Sequence, residues 1–290
     1  MYTYETYKAI QEFHQAVLEK NYKRIEECIV VKLLDKVLTS QDDELIATLP
    51  KETVLYRARV IETPKAYDDT ECGINAWFDD NYNFHCNGYN YYESKEPPLS
   101  VSGIGRNNLL GVSYLYLAED RYTACAEIKP PNRGMISVAK FKIEKDLKIV
   151  NFCDKVESYE HIDFINEYKV YPHQIMIDIF SSFTRLCRDE KTYILTQFLS
   201  DYVRKAGFDG IKYWGAANYG VNYTIFNSHK SNVSFVDSKI IAVASVEYNL
   251  VDLENEINIQ PTKKQTELNV ELTQRLLVRN LKQVREKNNG

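Results

Sequence analysis

The sequence predicts an α+β fold, because helical and strand-like patterns occur in separate blocks along the chain. Three observations lead there. Residues 1 to about 50 carry apolar side chains at three- and four-residue spacing. Short alternating or apolar runs follow between 54 and 150. Residues 157–206 return to helical patterning, with further strand-like runs beyond them.

In order, Tyr7, Ile10, Phe13, Val17 and Leu18 define one face of a first helix. Tyr22, Ile25, Ile29, Leu33 and Leu34 define a second periodic stretch, so residues 1–51 are expected to form a helical hairpin, an N-terminal extension packed on a main domain of 52–252. Val54 to Val60 alternates like a strand, with Arg57 and Arg59 on one face and Tyr56 and Ala58 on the other. No period is visible from 61 to 105. A segment so long and irregular usually carries function, and its tyrosines suit either a ligand site or half-buried packing. Ser113 to Ala118 is strand-like, and Glu119 to Ile128 is a short helix stopped by Pro130 and Pro131. Ile136 to Ile143 and Leu147 to Val150 are neighbouring strands. The helical block then ends with Thr192 to Ala206 and the stop residue Gly207. Strands are expected over Gly210 to Tyr213, Tyr223 to Phe226 and Lys239 to Val251. A basic helix is expected over 262–288, as a solvated face or a docking surface for an acidic partner.

The chain has 290 residues, 44% hydrophobic and 27% charged, enough for a large buried core. Its 36 basic residues are outnumbered by 41 acidic ones, which argues against non-specific nucleic-acid binding, where phosphate neutralisation supplies the affinity. No apolar run is long enough to span a bilayer and the N-terminus has no secretory h-region, so a soluble cytoplasmic protein without membrane contact is expected. The six cysteines form no CxxC pair and are expected as buried thiols. Cys72, His85 and Cys86 match no standard metal spacing, so no metal is expected.

Four polar residues stand where apolar ones would be simpler. Arg57 interrupts the first strand, Arg106 lies in a glycine-bearing turn, Glu127 ends a helix of small residues, and Asn222 opens a strand. Two guanidinium groups and a carboxylate suit a dinucleotide, the arginines holding pyrophosphate and the carboxylate facing ribose. A buried Arg–Glu pair would leave the same trace in sequence.

Five ordered stretches resemble the RES domain family, whose members degrade NAD+. They are Leu55-Tyr56-Arg57-Ala58-Arg59; Gly105-Arg106-Asn107-Asn108 running through Gly111 to Ser113-Tyr114-Leu115-Tyr116-Leu117-Ala118; Thr123-Ala124-Cys125-Ala126-Glu127-Ile128; Tyr193 with Thr196-Gln197; and Gly207-Phe208-Asp209-Gly210-Ile211-Lys212-Tyr213 with Asn222-Tyr223 and Phe226. The resemblance covers roughly residues 52 to 250. It implies a mixed β-sheet core similar to ADP-ribosyltransferase toxins, with helices packed around it. It also implies cleavage of the nicotinamide–ribose bond of NAD+ by water or inorganic phosphate, making the chain a glycohydrolase or a phosphorylase. NAD+ would be substrate, not cofactor. A helix-turn-helix antitoxin or another regulatory protein would be its partner. Carried over by position, Arg57 and Arg106 would bind the phosphates, Asn222 would belong to the NAD-binding set, Tyr116 would lie near the nicotinamide, and Glu127 would be the central catalytic carboxylate. One departure stands out: Gly215 occupies the place of the family's serine. It leaves open a non-catalytic NAD+-binding module, as the shared cleft leaves open ADP-ribosyl transfer to a macromolecule.

Overall fold

The structure, a computed structural model, describes residues 3–39, 45–61, 76–78, 84–86, 88–132, 134–153, 165–185, 193–218, 220–229 and 231–246. The expected helix over 262–288, the end of the expected last strand beyond 246, and parts of the 61–105 segment lie outside these residues.

The N-terminal segment forms three helices, α1 (Tyr4–Leu18), α2 (Tyr22–Glu27) and α3 (Ile29–Thr39). Thr3 caps α1 by accepting the Thr6 N–H, and Asn21 caps α2 through the Arg24 N–H. The single second helix expected from the spacing is split at Cys28, whose backbone turns extended (φ −65, ψ 137) and ends α2. Strand β1 (Ile46–Leu49) then pairs with β7 (Leu147–Asn151) at one edge of the sheet. The remaining strands are β2 (Val54–Ile61), β3 (Ala76–Phe78), β4 (Phe84–Cys86), β5 (Leu115–Ala118), β6 (Met135–Ile143), β8 (Gly210–Trp214), β9 (Val221–Ile225) and β10 (Val233–Ala242). Five more α-helices are α4 (Tyr91–Ser94), α5 (Arg121–Glu127), α6 (Ile165–Tyr168), α7 (Pro172–Thr184) and α8 (Ile194–Lys205), and a short 3-10 helix spans Leu99–Val101.

Eight strands form one sheet in the order β1-β7-β8-β9-β5-β2-β6-β10, and β3 with β4 forms a separate ribbon. Only β7 and β8 run parallel among the described pairs, so the sheet is mixed, as expected. Their crossover carries α6, α7 and α8, and Gly207 ends α8 in a left-handed conformation (φ +91) suited to a residue without Cβ. On the helical side, α1, α3, α7 and α8 bury Phe13, Leu33, Leu34, Ile179, Phe183 and Leu199 against Val150, Phe152 and Ile211 of the β7–β8 region. The N-terminal helices therefore share one continuous core with the sheet. A second core holds Leu55, Leu115, Leu117, Phe141, Ile149, Tyr223 and Ile225. A third, smaller one places Ala124 of α5 with Ala58, Ala118, Ile136 and Val138, and Tyr56 and Cys125 pack against it.

One seam in the sheet positions the candidate site. Strands β2 and β6 share eight registered pairs, whereas β2 and β5 share one, Tyr56↔Ala118. Beyond that pair the backbone ladder gives way to a side chain: Arg57 Nη1 donates to the Tyr116 carbonyl at 3.3 Å. Tyr56 and Ala58 lie under α5 while the neighbouring Arg59 donates to the Lys95 carbonyl after α4, as the alternation of β2 predicts.

Candidate active site

Glu127 is placed by α5. Asp120 caps this helix, accepting the Tyr122 and Thr123 N–H groups at 2.7 and 3.0 Å. Seven residues later the helix ends at Glu127, with Lys129 in a left-handed turn (φ +46) before Pro130. A carboxylate at a helix C-terminus faces unpaired carbonyl dipoles of its own sign and needs a donor elsewhere. Asn222 supplies one, its Nδ2 donating to Glu127 Oε1 at 2.9 Å. Asn222 is fixed in turn by pairing with Ala118 of β5 on one side and Tyr213 of β8 on the other.

The loop between β8 and β9 closes against this pair. Gly215 N–H donates to the Gly220 carbonyl at 2.7 Å, and Asn218 Nδ2 reaches Thr123 Oγ1 on α5 at 3.3 Å. Both glycines sit in tight places. A Cβ on Gly220 would collide with Thr123 Oγ1 and sit 2.6 Å from its Cγ2. A Cβ on Gly215 would collide with Glu127 Oε1.

Tyr116 and Arg106 meet in the turn before β5. The Tyr116 hydroxyl donates to Asn108 Oδ1 at 2.6 Å and accepts the Asn107 N–H at 3.0 Å, holding the turn that Gly105 N–H closes onto the Asn108 carbonyl. Burial, reinforced by the neighbouring Tyr213, drives the Tyr116 hydroxyl far above the ordinary phenol range, so it stays a neutral donor. Helix α8 clamps the same turn. Thr196 Oγ1 donates to the Arg106 carbonyl, and Gln197 Nε2 donates to the Gly105 carbonyl at 2.8 Å. The Arg106 guanidinium points to the end of α7, giving Nη1 to Phe183 O at 2.8 Å and Nη2 to Arg185 O at 2.9 Å, with the Tyr193 ring 5.3 Å away. It satisfies orphan carbonyls at a helix C-terminus.

Arg57 is different. Its Nε is buried without a hydrogen-bond partner, and among the described residues no carboxylate forms an ion pair with it. Burial, with Arg59 next to it, lowers the guanidinium from 12.5 to about 10, even though Glu96 pulls the other way.

A buried polar chain joins these parts. Asn107 Nδ2 donates to Thr224 Oγ1 at 2.7 Å, and Thr224 Oγ1 lies 3.4 Å from the Tyr213 hydroxyl. Burial pushes Tyr213 up to about 12, while Arg106 lowers it and Glu127 raises it, so this hydroxyl feels both ends of the site. The structure thus brings Glu127 into contact with Asn222, sets Arg57 on the backbone of Tyr116, and links Tyr116 through Asn107 and Thr224 to Tyr213. Arg106 joins through its backbone, its guanidinium being engaged at α7. Sequence reasoning gave no role to Asn107, Thr224, Gln197 or Tyr213. Thr224, Gln197 and Tyr213 left a trace as polar groups inside strand and helix patterns, whereas Asn107 lies in the turn before β5.

The sequence matches the RES domain over residues 87–250, more than half of the chain. The chain belongs to the RES domain family. The RES stretch includes Arg106, Tyr116, Glu127 and Asn222, whereas Arg57 on β2 precedes it. No curated protein matches the sequence. Among solved structures, a chain of the M. tuberculosis MbcT–MbcA toxin–antitoxin complex is similar at 12% identity and a TM-score of 0.38, over 74% of this chain and 93% of that one. Among the described residues of this RES protein, no cluster of His, Cys, Asp or Glu is arranged to hold a metal, and no helix is long and apolar enough to cross a membrane.

Proposed function

We propose that this RES protein cleaves the nicotinamide–ribose bond of NAD+, with water or inorganic phosphate as the acceptor. The observation that carries this reading is a carboxylate anchored at Glu127 together with a buried guanidinium at Arg57 that, among the described residues, makes no ion pair and has its Nε unpartnered. A buried cation without a counter-charge is costly, and an anionic ligand is the simplest compensation.

The chemistry follows from charge. Nicotinamide leaves neutral from a positively charged ring, taking the bonding pair of the C–N bond, and the ribose acquires oxocarbenium character. Glu127 would stabilise that charge and accept hydrogen bonds from the ribose hydroxyls. Arg57, with Arg106, would hold the pyrophosphate and so orient the sugar. Attack by water yields ADP-ribose and releases a proton; attack by phosphate yields ADP-ribose carrying that phosphate. Tyr116, whose hydroxyl is already committed at both ends, would offer its ring to the nicotinamide. The same proposal makes the chain a toxin-like, cytoplasmic NAD+-depleting enzyme under control of a regulatory protein of helix-turn-helix antitoxin type, with RES membership as its support.

The test is NAD+ consumption by the purified protein and by Glu127→Gln, each with and without phosphate. Consumption by the wild type alone is expected, and phosphate dependence names the acceptor. A mass increase on a co-incubated protein would instead mean transfer to a macromolecule. No consumption by either protein would remove the proposal.

A further inference from the structure

Gly215 stands where family resemblance leads to a serine, and its surroundings show what the missing side chain makes room for. A Cβ there would run into Glu127 Oε1, and would lie 2.8 Å from Asn222 Nδ2 and 3.1 Å from the Gly220 carbonyl. The hydrogen bond between Asn222 and Glu127 therefore fills the volume that a side chain at 215 needs. Positions 215 and 222 compete for one place beside one carboxylate oxygen. Asn222 is well suited to hold it: only 5% exposed, it sits in the middle strand of three, with Ala118 and Tyr213 directly opposite. A short amide anchored on a sheet loses little freedom in making a bond, and Glu127, at the carbonyl end of α5, has most need of a donor.

Building on the NAD+-cleaving reading, we propose that Asn222 is a positioning residue. Its amide fixes the Glu127 carboxylate in place of a side chain at 215, and Gly215 is required because it leaves that amide its room. Asn222 then acts through Glu127 instead of on the dinucleotide. Glu127 raises the Tyr213 hydroxyl, which is buried and neutral through the range in which a carboxylate titrates.

The experiment compares wild type, Asn222→Ala, Gly215→Ser and the double variant. Steady-state NAD+ consumption is measured against pH, and the ionisation of Glu127 is followed by 13C NMR, with Glu127→Gln to assign the signal. Each single variant is expected to lose roughly tenfold or more in kcat, with KM within about twofold, since one charge-assisted bond to the reacting carboxylate is lost or displaced. The acid limb of the rate profile and the 13C signal of Glu127 should both change in Asn222→Ala, where the carboxylate has lost its amide donor. In the double variant the Glu127 carboxylate, no longer held by the amide, can swing off the new Cβ and take the serine hydroxyl as its donor, which recovers part of the loss, so the two effects are not additive. A raised KM with unchanged kcat in Asn222→Ala would overturn the proposal, as would an unmoved Glu127 titration or strict additivity. If the wild type consumes no NAD+, the catalytic reading fails, and the titration alone decides whether Asn222 sets the carboxylate. Should Asn222→Ala not fold, Gly215→Ser decides by the same two readouts, since it presses on the ends of two side chains.

Discussion

Replacing Arg57 with Met should stabilise the protein while abolishing its response to anionic ligands. The guanidinium sits at the seam between β2 and β5, with Nε unpartnered and, among the described residues, one hydrogen bond of 3.3 Å to the Tyr116 carbonyl. Its displacement from 12.5 to about 10 corresponds to ~3 kcal/mol spent on keeping the cation in place. Methionine fills much of the same stem volume without the charge. Against that gain stands the lost hydrogen bond, worth about 1 kcal/mol, so a net stabilisation of about 1–2 kcal/mol is expected. For a chain of this size that is an increase in Tm of roughly 2–6 °C. The wild type should gain about 2.7 kcal/mol at ligand concentrations a hundredfold above Kd, and Arg57→Met almost none.

The assay is thermal unfolding with and without ADP-ribose, and with NAD+ in a Glu127→Gln background to prevent turnover. Two results would refute the reasoning. If Arg57→Met melts below the wild type, the arginine is a structural strut whose bond to Tyr116 outweighs its burial. If the variant keeps its full ligand-induced shift, the phosphates bind elsewhere.

Three further outcomes follow from the same geometry. Tyr213, held protonated to about 12 against about 10 in an unfolded chain, retains its proton in the fold while the unfolded chain loses it. Its contribution is complete below pH 10 and falls by up to ~3 kcal/mol between pH 10 and 12, so Tyr213→Phe should flatten the alkaline loss of stability seen by denaturant titration. Gly220→Ala forces a Cβ against the β-branched Thr123, 2.6 Å from its Cγ2 and 2.8 Å from its Cβ; a loss of about 1–3 kcal/mol is expected, and Thr123→Ala should relieve part of it and Thr123→Gly more. Arg106→Ala removes two charge-assisted bonds to Phe183 O and Arg185 O, so the end of α7 should fray, with faster amide hydrogen exchange there and a stability loss of about 2–4 kcal/mol.

Local patterns carried much of the architecture. The strands β2, β5, β6, β7, β8 and β9 lie within a residue or two of where alternation and apolar runs place them, and Glu127 ends its helix as read. The failures share a physical origin. Helix α1 buries Thr6, Ala9, Ile10, Phe13, Ala16 and Val17, while Tyr7 and Leu18 are each 52% exposed. Small residues mark the buried face because close packing needs them, and hydrophobic spacing underweights them. Strand β10 begins at Val233, ahead of the expected Lys239, since a bulge between Phe235 and Asp237 breaks the alternation that would have announced it. The polar scaffold of the site was less legible. Asn107 bonds Thr224 across 117 residues, Gln197 bonds Gly105 across 92, and Asn222 bonds Glu127 across 95. No window of local sequence contains such pairs, so residues could be nominated for the site while their partners could not.

The two arginines, equal in the sequence reading, are unequal in their surroundings, and this bears on how a dinucleotide would be held. Arg106 already gives both terminal nitrogens to helix carbonyls and lies over Tyr193. A guanidinium has five N–H donors, so it can keep both carbonyls and still offer a hydrogen to a phosphate oxygen. The gain is modest, because its charge is already partly compensated by the negative end of α7. Among the described residues Arg57 makes no ion pair, its contacts being one backbone carbonyl and the more distant charge of Glu96. An anion arriving at the seam would therefore gain most from Arg57, the residue on the strand that precedes the RES stretch. Arg106 would chiefly hold the α7 end and the Gly105–Asn108 turn in place, the turn being where Tyr116 is fastened. Phosphate affinity would then follow Arg57, while the geometry around the nicotinamide would follow Arg106. The two should separate in mutant kinetics, as a KM effect for the first and a kcat effect for the second.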